Sequence, residues 1–389
     1  MSSYPGFGSS RRRFIRTAAA AAATLSLPGL LWAETPLDPK RKYSAKVVDL
    51  VERSLVIDML GPLKLDFTPA AYSGTLTDAE VAMFRSSGIN VFHNSQGIGG
   101  PTAYEDALQF MAAWSAFVGR NDDLFALVGK ADDLEHTKAK HKIAVIMGIQ
   151  NAEQFREVKD VKAFYEIGLR CAQLTYNTQN LLGSGSTERV DGGVSDFGAQ
   201  VIAAMNEVGM LVDVSHCGDR TTLDAIEISP KPIAITHSNC RALNNHPRTK
   251  TDEAIKKCAQ KGGVMGITGV RNFVKDREPT TIEDIVDHID HVVKLAGIEH
   301  VGIGTDSDLM GYDHMPADQY AQLKAGYKSS YAFRDKIDTD GFNHPRKMYD
   351  LTDALMRRGY SDANIQAVLG GNFRRLLGIA WQGAAANKG

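Results

Sequence analysis

Cysteine is scarce, with four in 389 residues. That is too few for a disulfide framework, which a chain of this size does not require. Charge of one sign is also missing. Forty-four basic residues face 46 acidic ones, for a formal net charge of −2, so there is neither a nucleic-acid footprint nor a polyacidic tail. Beyond the N-terminus no apolar run is long enough to cross a bilayer. No G-x-G-x-x-G follows the first strand-like run, and the glycines around Gly183, Gly185, Gly192 and Gly193 lack a phosphate-loop lysine, which disfavours a dinucleotide or P-loop fold. Neither an internal repeat nor a linker marks a second domain.

What is present begins at the N-terminus. Ser10-Arg11-Arg12-Arg13-Phe14-Ile15-Arg16 precedes an alanine-rich, weakly apolar run, and Leu31-Trp32-Ala33 offers a cleavage site. The pattern is similar to a twin-arginine (Tat) signal peptide over residues 1–33. The apolar run, about 15 residues, is short for a membrane span. A leader of this kind implies the Tat translocase as a transient partner and a periplasmic location. Its removal takes four arginines and no acid, leaving the mature chain at −6. Residues 34–389 then form one domain.

Within that domain, short β-branched runs alternate with amphipathic helical patterns. The runs are 55–60, 89–94, 143–150, 169–177, 210–216, 232–238, 263–270 and 300–307, and helices are expected at 78–87, 104–118, 196–208 and 282–296. Eight such units predict an α/β fold closed as a (β/α)8 TIM barrel. Residues 342–378 read as two helices with a turn at Gly370-Gly371-Asn372.

Chemistry in such a barrel belongs at the C-terminal strand ends. His93, Asn94, Gln150, Asn151, Tyr176, Asn177, His216, His237, Asp306 and Asp308 stand there. Asp213, inside the fifth run, is expected to point elsewhere. His216 and His237 end neighbouring runs, and imidazole suits zinc and related ions. Two in register, joined by Asp306, point to a metal or proton-transfer site.

The stretch from Asp196-Phe197-Gly198 through Leu243 resembles the membrane (renal-type) dipeptidase family, the M19 peptidases. Gly302-Ile303-Gly304-Thr305-Asp306-Ser307-Asp308, His246-Pro247-Arg248 with Thr251-Asp252-Glu253, and Gly370-Gly371-Asn372 extend the resemblance over residues 46–377. The resemblance implies a metallo-dependent hydrolase fold and two zinc ions acting on a small dipeptide. It implies that His216 and His237 bind one metal, that Asp306 serves the other metal and the catalytic water, and that Arg248 grips the substrate carboxylate. Family members often pair as homodimers.

The family's Asp-Gly-His-x-Asp is Asp58-Met59-Leu60-Gly61-Pro62 here, without its two ligands. Its bridging glutamate is Gln150, and its substrate histidine is Tyr176. A binuclear zinc centre is therefore not expected. At most one zinc is, at His216 and His237 with Gln150 as a weaker ligand. His93, Asp66, Cys217 and Cys240 are local candidates to fill the gap. Tyr176 and Asn177 would meet the substrate, with Tyr176 able to donate to an oxyanion.

Three functions are compatible with this set. The first is a dipeptidase-like hydrolase of a small peptide or peptide-derived amide, using Asp306 as base. The second is a metal-independent tailoring enzyme, such as a tautomerase, in periplasmic maturation of a peptide metabolite such as a siderophore. There His216, His237, Tyr176 and Asp306 would move protons. The third is a noncatalytic binding protein.

Overall fold

The computed structural model describes residues 43–66 and 68–383, so the segment read as a leader lies outside the described residues. Among the described residues nine strands form one parallel sheet: β1 (Ile57–Asp58), β2 (Val91–Gln96), β3 (Phe125–Leu127), β4 (Ile143–Ile149), β5 (Leu169–Gln173), β6 (Leu211–Asp213), β7 (Ala234–Ser238), β8 (Val264–Ile267) and β9 (Val301–Ile303). The order is β1-β2-β4-β5-β6-β7-β8-β9, and β3 pairs only with β4. Backbone hydrogen bonds from Met59 N to Ile303 O (2.9 Å) and from Asp306 N to Leu60 O (2.8 Å) join the two ends into a barrel. The eight runs read from sequence supply its eight staves, giving the expected (β/α)8 architecture. β3 is a ninth strand laid outside the ring.

Ile143-Ala-Val-Ile-Met-Gly-Ile149 shows why these runs become strands. Every residue is buried, as parallel strands with helices on one face and a barrel interior on the other require. Ala144 and Ile146 pack with Ile57, Val91, Leu211, Ala234 and Val264 inside the barrel. Val145, Met147 and Ile149 face outward to the helical layer. That layer has the expected helical spacing. Ile285, Val286, Ile289 and Val292 line the buried side of the helix Ile282–Ala296.

The helix Asn372–Ala380 closes the floor of the barrel, adding Phe373, Leu376, Leu377 and Ala380 to the interior cluster. The Asn372 side chain anchors it by donating to Ile298 O and Val301 O, both at 2.7 Å. Its approach needs Gly370, because a Cβ there would lie 1.9 Å from Leu55 O. Phe373 is fully buried against Gly302. Phe373→Ala is expected to cost about 3–5 kcal/mol through lost transfer energy and a residual cavity, read as a lower urea midpoint without a changed m-value.

At the opposite end, residues 309–340 fold over the strand ends as a cap containing the helix Ala317–Ala325. Tyr331, Phe273, Val270 and Ile337 form its apolar core. Among the described residues no helix is long and apolar enough to cross a membrane.

Candidate active site

β5 and β6 end earlier than their apolar runs. β5 stops at Gln173 and β6 at Asp213, so Tyr176, Asn177 and His216 stand on the loops just beyond. Those loops are tightly built. Asn177 and Asp306 have left-handed backbones, with φ of 62° and 59°, and a Cβ on Gly185 would lie 2.1 Å from the Asn177 carbonyl carbon.

His216 and His237 meet as expected, their Nε2 atoms 2.9 Å apart. Tyr176 stacks on the His216 ring at 4.1 Å and 20°. The outer nitrogens have separate partners. His216 Nδ1 lies 2.8 Å from Asn177 Oδ1, and His237 Nδ1 lies 2.8 Å from Thr236 Oγ1. Both rings are buried. Burial, then the nearby Arg248 cation, holds both imidazoles well below the usual histidine range. The pair is therefore neutral at pH 7.

Arg248 is fully buried. Its guanidinium donates to Ser215 O and, at 3.5 Å, to His237 O, and packs over Phe273. Its Nε has no hydrogen-bond partner, and among the described residues it forms no salt bridge. Tyr331 also hydrogen-bonds the Arg248 side chain, and a buried guanidinium with no carboxylate partner suits an anion. The Asp306 carboxyl is pushed up to about 7, chiefly by burial; Arg248 pulls it down, while Asp58 and Asp213 push it up. It can hold or release a proton near neutrality.

The strand-one gap is filled rather than left open. Leu60 and Pro62 are buried, and neither carries a ligand. Asp58 accepts from Thr305 Oγ1 (2.6 Å), Thr305 N (2.8 Å) and Leu60 N (3.2 Å), clamping β1 to the loop after β9. His93 turns into the barrel. Its Nδ1 donates to Met59 O at 2.6 Å, leaving an Nε2 lone pair buried and unpartnered. Its ring occupies the space a Cβ on Gly148 would take, 1.8 Å from that position.

Gln150 donates to Ser95 O at 3.3 Å, its Oε1 is buried without a partner, and no hydrogen bond joins it to either histidine of the pair. Asp66 accepts from Thr68 N within its own loop. The thiol candidates serve elsewhere. Cys217 Sγ accepts from Thr175 Oγ1 and is pushed up to about 11 by burial, and Cys240 Sγ contacts His288 O.

These donors fit a metal only in part. Among the described residues no group of three or more His, Cys, Asp or Glu side chains is arranged to hold an ion. With no carboxylate bridge and no strand-one ligands, the set does not fit two zinc ions. Two facing imidazole nitrogens do fit one cation. Nitrogens about 2.05 Å from a tetrahedral zinc stand about 3.3 Å apart, so the pair needs to open by a few tenths of an ångström.

Two features escaped the sequence reading. Asp213 does not point away; it lies behind His237, bonded to Thr236 and Ser215. Lys347, from the helix Lys347–Arg357, is buried and donates to Ser307 Oγ (2.9 Å) and Asp308 O (2.6 Å). Asp308 itself receives Leu65 N, Met310 N and Gly311 N, so its role is loop support. Over the site, the cap brings Tyr327 OH to 2.8 Å from Tyr176 OH.

Residues 68–324 match the family described as membrane dipeptidase, peptidase family M19. The dipeptidase tcpJ of Claviceps purpurea is 28% identical over 271 residues, 69% of this chain and 58% of its own length. An uncharacterized dipeptidase of Schizosaccharomyces pombe is 30% identical over 215 residues, 53% of this chain and 52% of its own. The chain thus spans little more than half the length of these curated relatives. Among solved structures, an amidohydrolase from Pseudomonas aeruginosa superposes with a TM-score of 0.76 at 30% identity, covering 86% of this chain and 99% of that one. A probable dipeptidase, PvdM, of the same organism gives 0.72 at 20% identity over 86% and 98%, a likeness of fold.

Proposed function

Because the chain belongs to the membrane dipeptidase family, peptidase family M19, we propose that it is a dipeptidase-like hydrolase of a small peptide or peptide-derived amide that holds at most one divalent ion, at His216 and His237. The observation that carries this is the pair of Nε2 atoms 2.9 Å apart on two buried imidazoles. When both Nδ1 atoms donate outward, two lone pairs face one another and a cation between them offsets their repulsion. An ion bound there supplies Lewis-acid polarisation of a carbonyl and an acidified water. Gln150 is the added neutral ligand within this proposal.

The chain's own groups do the rest. Arg248 receives the substrate carboxylate through its unused Nε edge. Asp306 takes the proton of the attacking water and returns it to the leaving amine, a task matched by a carboxyl near 7. Tyr176, fixed flat on His216, directs its hydroxyl at the developing oxyanion, and Asn177 orients His216 beside the substrate. The cap excludes water above them. We place this activity in the periplasm, after Tat export.

Activity against a panel of L,L, L,D and D,L dipeptides, assayed with the full mature chain, tests the proposal. Turnover is expected to vanish on chelation and return with one equivalent of zinc. One observation favours a second reading, metal-independent proton transfer on a peptide metabolite. The 2.9 Å spacing suits a shared N–H···N hydrogen bond, and buried Arg248 and Lys250 already supply positive charge. Turnover that is indifferent to chelator would select that reading.

A further inference from the structure

Asp213 accepts four hydrogen bonds. Oδ1 takes Ser215 N (3.0 Å), Ser215 Oγ (2.6 Å) and Thr236 N (3.0 Å), and Oδ2 takes Thr236 Oγ1 (2.7 Å). A hydroxyl has one proton. The Thr236 hydroxyl has three neighbours, Asp213 Oδ2, Ser215 Oγ at 3.1 Å and His237 Nδ1 at 2.8 Å. The Ser215 hydroxyl gives its proton to Asp213 Oδ1. With the Thr236 proton given to Asp213 Oδ2 or to Ser215 Oγ, the Thr236 oxygen accepts from His237 Nδ1. His237 must then carry its proton on Nδ1 and present a lone pair at Nε2. Its backbone N–H is also tied, to Ser215 Oγ at 3.1 Å.

His216 is held differently. Its Nδ1 partner is the Asn177 amide at 2.8 Å, which offers an acceptor one way round and a donor the other. Among the described residues, the other hydrogen bond to Asn177 Oδ1 is a long one, 3.5 Å from Ser186 Oγ. Stacking under Tyr176 fixes the ring plane, so the tautomer can change while the ring stays.

We propose that Asp213, acting through the Thr236 hydroxyl, is a positioning residue that locks His237 as a permanent Nε2 acceptor, whereas Asn177 leaves His216 switchable. Without a cation the Asn177 amide turns. Its Nδ2 then donates to His216 Nδ1, and His216 Nε2–H donates to His237 Nε2. With a cation the amide returns, and both Nε2 lone pairs face the ion. One proton moves from Nε2 to Nδ1 of His216, and none is gained or lost. The cation half of this scheme rests on the proposed one-ion site; the locked tautomer of His237 does not.

Long-range 15N–1H spectra of 15N-histidine-labelled full chain, with zinc as the probe, test it. In chelator, His237 is expected as the Nδ1–H form and His216 as the Nε2–H form. One equivalent of zinc moves His216 to Nδ1–H and leaves His237 unchanged. Thr236→Val is expected to give a mixed His237 tautomer and ten- to hundredfold weaker zinc binding, and Thr236→Ser to restore both. Should the valine variant fail to fold, the wild-type chelated spectrum decides alone. An Nε2–H form of His237 there, or a Thr236→Val spectrum identical to wild type, overturns the proposal. Correct chelated tautomers with no zinc effect would sink the one-ion site and leave the lock standing.

Discussion

If His216 and His237 hold one ion as proposed, replacing His216 with alanine is expected to lower dipeptide turnover by about a thousandfold and to abolish zinc binding. The imidazole would supply one of the two nitrogens facing the proposed ion, and no third His, Cys, Asp or Glu side chain stands ready to replace it among the described residues. His237→Ala is expected to do the same. The double variant should be no worse than either single one if both rings serve one ion, since the second loss then removes nothing further. Steady-state kinetics of the three variants, with elemental analysis of zinc, checks this. Independent, multiplying losses would mean that the rings do separate work.

Asp306→Asn carries the second large effect, on both rate and pH dependence. The wild-type carboxyl ionises near 7, so the rate should climb with pH through that value and then level. The amide cannot accept a proton, and a loss of about 10²–10⁴-fold with a flattened acid limb is expected. Stability moves the other way. An unfolded aspartate ionises near 3.9, so between about pH 4 and 7 the unfolded chain releases a proton that the folded chain keeps. Folding stability contributed by this group is whole below pH 4 and lost as pH rises through about 7. The variant should therefore match wild type near pH 4 and exceed it above pH 7 by a few kcal/mol at most. Urea titrations in chelator at the two pH values read the difference. Equal stabilities at high pH would place Asp306 in a solvated setting and remove it as the base.

The eight β-branched runs were legible because a barrel stave is buried on both faces, as at residues 143–149. Their ends were not. Leu174 and Val214 are apolar and buried, so the runs at 169–177 and 210–216 read through positions where the ladder had already stopped. β3 was missed because Phe125–Leu127 is three residues long and only partly buried. The cap at 309–340 mixes tyrosine, lysine and aspartate without strong periodicity, and its order comes from contacts to Val270 and Phe273.

At the candidate site, His216, His237, Tyr176 and Asn177 were singled out by their place at the strand ends, and the structure brings them together. Asp306 and Arg248 lie close enough to influence one another. Asp213 was misread because strand alternation gives direction, not partners. It faces inward and meets Thr236 of the next strand, a pairing that depends on barrel register. His93 illustrates the same limit, since its seat depends on the missing Cβ of Gly148 across the sheet.

Zinc stoichiometry, measured by calorimetry and elemental analysis on the full chain and on His216→Ala and His237→Ala, bears most directly on the proposed one-ion pair. One ion per wild-type chain, lost in each variant, is the predicted result. Two ions per chain, none, or one ion that persists in both variants would contradict it.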